Sequence, residues 1–65
     1  MTLEHIILAI QQSTIKLEQI TEARNVLENE IDACEVILQD PETETYSRNE
    51  FRDKMNLYKK LLNRL

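Results

Sequence analysis

The sequence contains no glycine and no tryptophan, and a single residue each of proline, cysteine and histidine. A Gly-rich phosphate loop and a βαβ nucleotide-binding unit need residues that tolerate positive φ or a close backbone approach, so neither can be built here. Most tight hairpin turns are excluded for the same reason. A structural zinc site takes four N or S ligands and a disulfide framework takes Cys in pairs, so Cys34 and His5 supply neither. The longest apolar run, Ile6 to Ile10, is far short of the ~20 residues of a membrane span. The absence of paired Cys fits a reducing, cytoplasmic setting. Glu4 and His5 precede the first apolar run and no basic segment does, so the N-terminus does not read as a signal peptide. The 65 residues must therefore fold by packing alone, or by packing on something else. Below about 70 to 80 residues a single core rarely supplies more than roughly 3 to 5 kcal/mol, which points to a partner chain.

What is present is 42% hydrophobic and 31% charged residues, the balance of a helical or coiled-coil chain. A heptad counted from Leu3 places Leu3, Ile10, Leu17, Arg24, Ile31 and Leu38 at a, and Ile6, Ser13, Ile20, Leu27 and Cys34 at d. With Cys34 counted as apolar, nine of these eleven seam positions are apolar. The pattern predicts one long helix over about 3–38, capped by Thr2, because a sustained 3.5-residue repeat keeps one stripe facing a partner. The weak point is Gln11-Gln12-Ser13-Thr14, whose hydroxyl side chains compete with helix by bonding the backbone locally. A break at Ser13-Thr14 is the alternative, giving a short N-terminal helix and a longer one.

Pro41 ends the first helix near Leu38 or Gln39 and pushes Asp40 toward extended backbone. A second helix is predicted over about 48–64, with Ser47 and Glu50 as a capping box and Tyr46 and Phe51 as a hydrophobic staple. Phe51, Met55, Tyr58, Leu62 and Leu65 form its apolar face, with Leu61 beside them. The short connector makes an antiparallel hairpin the natural arrangement.

At 1.5 Å per residue the first helix would be about 54 Å long and the second about 26 Å, so the hairpin reaches back only to Ile20 or Glu22. That leaves Leu3, Ile6, Ile7, Leu8, Ile10, Ile15, Leu17 and Ile20 without an intramolecular partner. Burying one such side chain is worth about 1.5 to 3 kcal/mol, so a cover is expected, and these eight residues are the candidate partner-binding surface. The cover is a second copy in a homodimeric bundle, a different protein in a heteromeric complex, or residues 3–12 folded back as a third helix.

Residues 1–45 carry ten acids and two bases, net −8, and residues 46–65 carry two acids and six bases, net +4, giving the −4 of the whole chain. Antiparallel folding sets the acidic stretch from Glu28 to Glu44 near the basic second helix. Exposed pairs contribute only about 0 to 1 kcal/mol each, so this pattern orients the helices rather than holding them together. An acidic chain also argues against direct nucleic-acid binding, although the same acids can imitate a phosphate row and block a nucleic-acid-binding protein. Cys34 sits on the seam as a small hydrophobe with Asp32 and Glu35 nearby, which disfavour a reactive thiolate. His5 lies on the polar side, and no nucleophile, base and orienting group come together, so neither catalysis nor a cofactor is expected. Arg24 and Ser13 are polar seam residues of the kind that fix register, and Arg24 can also snorkel outward.

Ser47-Arg48-Asn49-Glu50-Phe51 keeps the Ser of the signature of small Spo-zero-E-type regulatory phosphatases but has Phe51 where that family has Asp, which excludes it. Met1-Thr2-Leu3-Glu4 and the turn Leu38-Gln39-Asp40-Pro41 followed by Tyr46 resemble the small co-chaperones of type III secretion needle subunits. That resemblance implies a cytoplasmic helical hairpin paired with a tetratricopeptide-like chaperone to keep the needle subunit unpolymerised. The expectation is thus an all-α antiparallel helical hairpin, a single domain over 1–65. A second chain would complete it into a helical bundle or coiled coil, and it would act as a non-catalytic adaptor, inhibitor or co-chaperone.

Overall fold

A computed structural model describes residues 2–65 and shows three α-helices: α1 (Leu3–Gln11), α2 (Ile20–Gln39) and α3 (Thr45–Asn63), with a 3-10 turn at Leu17–Gln19 leading into α2. No strand occurs among the described residues. The fold is all-α, and α2 and α3 pack along each other as the hairpin that the Pro41 connector predicts. The molecule measures 40 × 18 × 17 Å.

Helix α1 begins where its cap was expected. Thr2 is extended and its Oγ1 accepts a hydrogen bond from the His5 N–H at 3.2 Å, satisfying one of the orphan donors of the first turn. The end of α1 corrects the single helix predicted over about 3–38 and follows the alternative, a break at Ser13-Thr14 with the N-terminal segment folded back as a third helix. Ser13 takes φ 55, the left-handed region. Its N–H donates to the Ile10 carbonyl at 3.1 Å and the Thr14 N–H donates to the Ala9 carbonyl at 2.8 Å, the pair of bonds that closes a helix in a Schellman motif. The connector then runs extended at Lys16, whose N–H donates to Gln19 Oε1 at 3.3 Å as the 3-10 turn starts.

Magnitudes explain why the chain turns at Ser13. A left-handed non-glycine residue costs roughly 1–2 kcal/mol. Folding α1 back buries Ile6 and Ile10, each worth about 1.5–3 kcal/mol, and half-buries Leu3, Ile7 and Ile15 against the same core. Burial wins. The core comprises Ile6 and Ile10 from α1, Ala23, Leu27, Ile31 and Cys34 from α2, and Tyr58 and Leu61 from α3. The expectation that the N-terminal half lacks an intramolecular partner is corrected accordingly, since α1 packs on both α2 and α3.

The α2–α3 connector behaves as Pro41 dictates at one residue and differently at the next helix. Asp40 is extended (φ −74, ψ 119), and its Oδ1 accepts from the Glu42 N–H at 2.9 Å. Helix α3 starts at Thr45 with Glu44 at the cap and no side-chain cap bond, so the Ser47 capping box is not formed. Tyr46 is exposed, so it makes no staple with Phe51. The earlier start moves Arg48 from the first helical position to the fourth. From there its guanidinium donates to the carbonyls of Leu38 (3.0 Å), Asp40 (2.6 Å) and Thr43 (2.9 Å), while Thr43 Oγ1 donates to the Ile37 carbonyl at 2.8 Å. The Leu38 and Asp40 carbonyls at the end of α2 thereby receive donors from α3, and the Ile37 carbonyl receives one from the connector.

Candidate functional site

The eight aliphatics of the candidate surface do not stay together. Ile6 and Ile10 lie in the core, and Leu3, Ile7, Ile15 and Ile20 are half-buried. Leu8 and Leu17 remain outside, and Leu17, on the connector, is 86% exposed. For Ile6 and Ile10 the reason for expecting an external cover has gone, because α2 and α3 supply it.

Other apolar side chains are exposed as well. Val36 is 69% exposed, Tyr46 78%, and Leu57 projects from the side of α3. Val36 and Leu8 both fall at f of the heptad, opposite the seam. Their exposure follows from that register, and of the two only Leu8 belongs to the candidate surface. Tyr46 stands outside the staple that its spacing from Phe51 predicts, and Leu57 lies off the apolar face of α3.

The charged groups are arranged more locally than the net charges of the two halves suggest. Glu50 and Lys54 pair at 3.5 Å one turn apart within α3, both about half-exposed, and Lys54 lies 5.2 Å from the Phe51 ring centroid. Such exposed contacts contribute little stability. Arg48, one of the six bases in residues 46–65, directs its hydrogen bonds to backbone carbonyls and not to the acidic stretch. Arg24 at its seam position is exposed, consistent with an outward-turned head group.

Among the described residues there is no cavity, and no cluster of three or more His, Cys, Asp or Glu side chains suited to a metal ion. Nor is any polar or charged residue buried among them. No helix among the described residues is long and apolar enough to cross a membrane. Comparison with protein-family models, with curated proteins and with solved structures finds no match to this chain.

Two titratable groups lie in the core, and neither is poised for chemistry. Burial pushes the Cys34 thiol above its ordinary 9.0 and the Tyr58 phenol above its ordinary 10.0, with Glu30 adding to both shifts and Lys54 opposing them. Both groups hold their protons more tightly when folded than when unfolded. The stability they contribute is fully present below about pH 9 and is lost as pH rises through the folded values. The melting temperature should therefore decline above pH 9, and Cys34→Ala should delay the onset toward pH 10, where Tyr58 begins to titrate in the unfolded chain. A melting curve series between neutral and about pH 11 checks this. An onset unchanged in Cys34→Ala would remove the thiol from the account.

Proposed function

We propose that this chain is a small non-catalytic protein-binding module that binds through its N-terminal segment. The observation that carries the reading is Leu17, a large aliphatic 86% exposed on the connector, beside the half-buried Ile15 and Ile20 in sequence. Scattered single apolar residues on a surface need no explanation. Leu17 differs because it occupies a seam position of a repeat whose other aliphatic members are all withdrawn wholly or partly from water. A co-chaperone role, of the kind implied by the resemblance at Met1–Glu4, Leu38–Pro41 and Tyr46, is one form of this reading. A reducing, cytoplasmic setting belongs to the same reading and is supported by the unpaired, buried Cys34.

The test compares the wild-type chain with Leu17→Asp. Because the side chain is exposed, the substitution should change stability by no more than about 0.5 kcal/mol, leaving helicity and melting temperature close to wild type. Cross-linking in cells of the native host, with two differently tagged copies, should recover a bound chain with wild type and lose it with Leu17→Asp. Recovery of the same proteins by both would refute binding through this segment.

A further inference from the structure

We propose that the connector 12–19 is a hinge through which two copies of this chain exchange α1, so that the module's partner is a second copy of itself. The inference rests on the protein-binding reading and names its partner. Four features of the chain support it. The heptad register continues from α1 through the connector into α2, so a single helix over 3–39 would keep its apolar positions on one stripe, interrupted only by Ser13 and Arg24. The break is made at Ser13 with φ 55, in a left-handed conformation that disfavours any residue with a Cβ, and the segment 12–19 holds neither Gly nor Pro. A chain committed to this turn would be expected to carry Gly or Asn there. Leu17, at position a, is 86% exposed in the closed chain. Its register returns it to the seam if the connector becomes helical.

In the exchanged form residues 3–39 make one helix about 55 Å long. The α1 segment of each copy docks on α2 and α3 of the other, and Ile6 and Ile10 are buried by the same residues as in the closed chain. Nothing in the α1 site has to be invented for the partner, because the exchanged element is identical to the one it replaces. What changes is the hinge: Ser13 leaves the left-handed region and Leu17 enters the contact between copies. Short strained hinges favour this kind of exchange. Because an intramolecular docking becomes an intermolecular one, the balance depends on protein concentration.

The experiment measures mass by sedimentation equilibrium, and helicity by circular dichroism, from low micromolar to near millimolar concentration. Wild type should pass from monomer to dimer, with helicity per residue rising as the connector becomes helical. Ser13→Gly removes the strain of the closed hinge and weakens the open helix. It should raise the dimer dissociation constant about tenfold per hinge, or about a hundredfold for two. Ser13→Ala, which favours helix and keeps the left-handed penalty, should lower it. Monomer throughout for both wild type and Ser13→Ala would overturn the proposal. So would a dimer whose dissociation constant ignores Ser13→Gly, since that is the behaviour of closed chains pairing side by side. If the chain stays monomeric yet Leu17→Asp still strips a different protein from it, the exchange falls and the protein-binding reading stands.

Discussion

Ile6→Asp is expected to unfold the domain, whereas Leu17→Asp, eleven residues further on and also in the candidate surface, is expected to leave it folded. Ile6 is 0% exposed. Truncating a buried Ile to Ala costs about 2–5 kcal/mol, and Asp adds the penalty of placing a carboxylate in a core where, among the described residues, no charged group is buried to receive it. A domain of this length has about 3–10 kcal/mol in total, at roughly 0.05–0.15 kcal/mol per residue. The substitution therefore consumes most or all of the stability. Ile6→Ala gives the graded version: its urea midpoint should fall by about 2 M or more, taking a cost of about 2–5 kcal/mol and a slope near 1 kcal/mol/M for so small a chain. The result bears on function, because a loss of partner binding in Ile6→Asp would report unfolding and not a contact. Wild-type helicity and melting in Ile6→Asp would show instead that α1 is dispensable to the core, and the self-contained three-helix domain would be refuted.

The same residues show which parts of the fold were legible. Short-range signals read correctly where one residue type dictates the outcome: Thr2 caps α1, Asp40 is extended before Pro41, and the hairpin follows. The heptad identified what is buried but not how the chain runs. Ile6, Ile10, Leu27, Ile31 and Cys34 are seam residues and all lie in the core. A 3.5-residue repeat is equally satisfied by one long helix facing a partner and by two helices that turn the same stripe toward a shared interior. Choosing between them requires knowing that residues 3–11 can reach the α2–α3 core, which is a property of the assembled fold. Ser13 gave no warning beyond its hydroxyl, since the residues that usually mark a left-handed helix end are Gly and Asn. The candidate surface was misjudged for the same reason. Its membership follows from a two-helix hairpin, and a third helix withdraws Ile6 and Ile10 from it. The α3 start was misplaced because a capping box at Ser47 is a local preference of about 1 kcal/mol, which a larger set of bonds made elsewhere overrides.

Those bonds are the ones made by Arg48, and Arg48→Ala is expected to cost about 2–3 kcal/mol, lowering the melting temperature by roughly 10–20 °C. The guanidinium sits in the first turn of α3, where a positive charge opposes that helix's own dipole by about 0.3–1 kcal/mol. It is held there by three charge-assisted hydrogen bonds to the carbonyls of Leu38, Asp40 and Thr43, at 3.0, 2.6 and 2.9 Å. Hydrogen bonds to charged groups contribute about 1.5–3 kcal/mol each when buried and less here, where the site is only half-buried. The sum still exceeds the dipole penalty. No sequence pattern announces the arrangement, because the acceptors are backbone atoms that converge only after Pro41 and Asp40 have turned the chain. Lysine keeps the charge but presents its donors from one point, so Arg48→Lys should recover less than half of the loss. Salt separates this account from the one based on net charge. Pairing with the acidic stretch would be screened, and the cost of Arg48→Ala would then shrink toward zero between low and high ionic strength. Bonds to neutral carbonyls are far less sensitive, so most of the cost should persist in high salt. A loss that vanishes with salt would return Arg48 to the role of a surface cation facing the acids of α2.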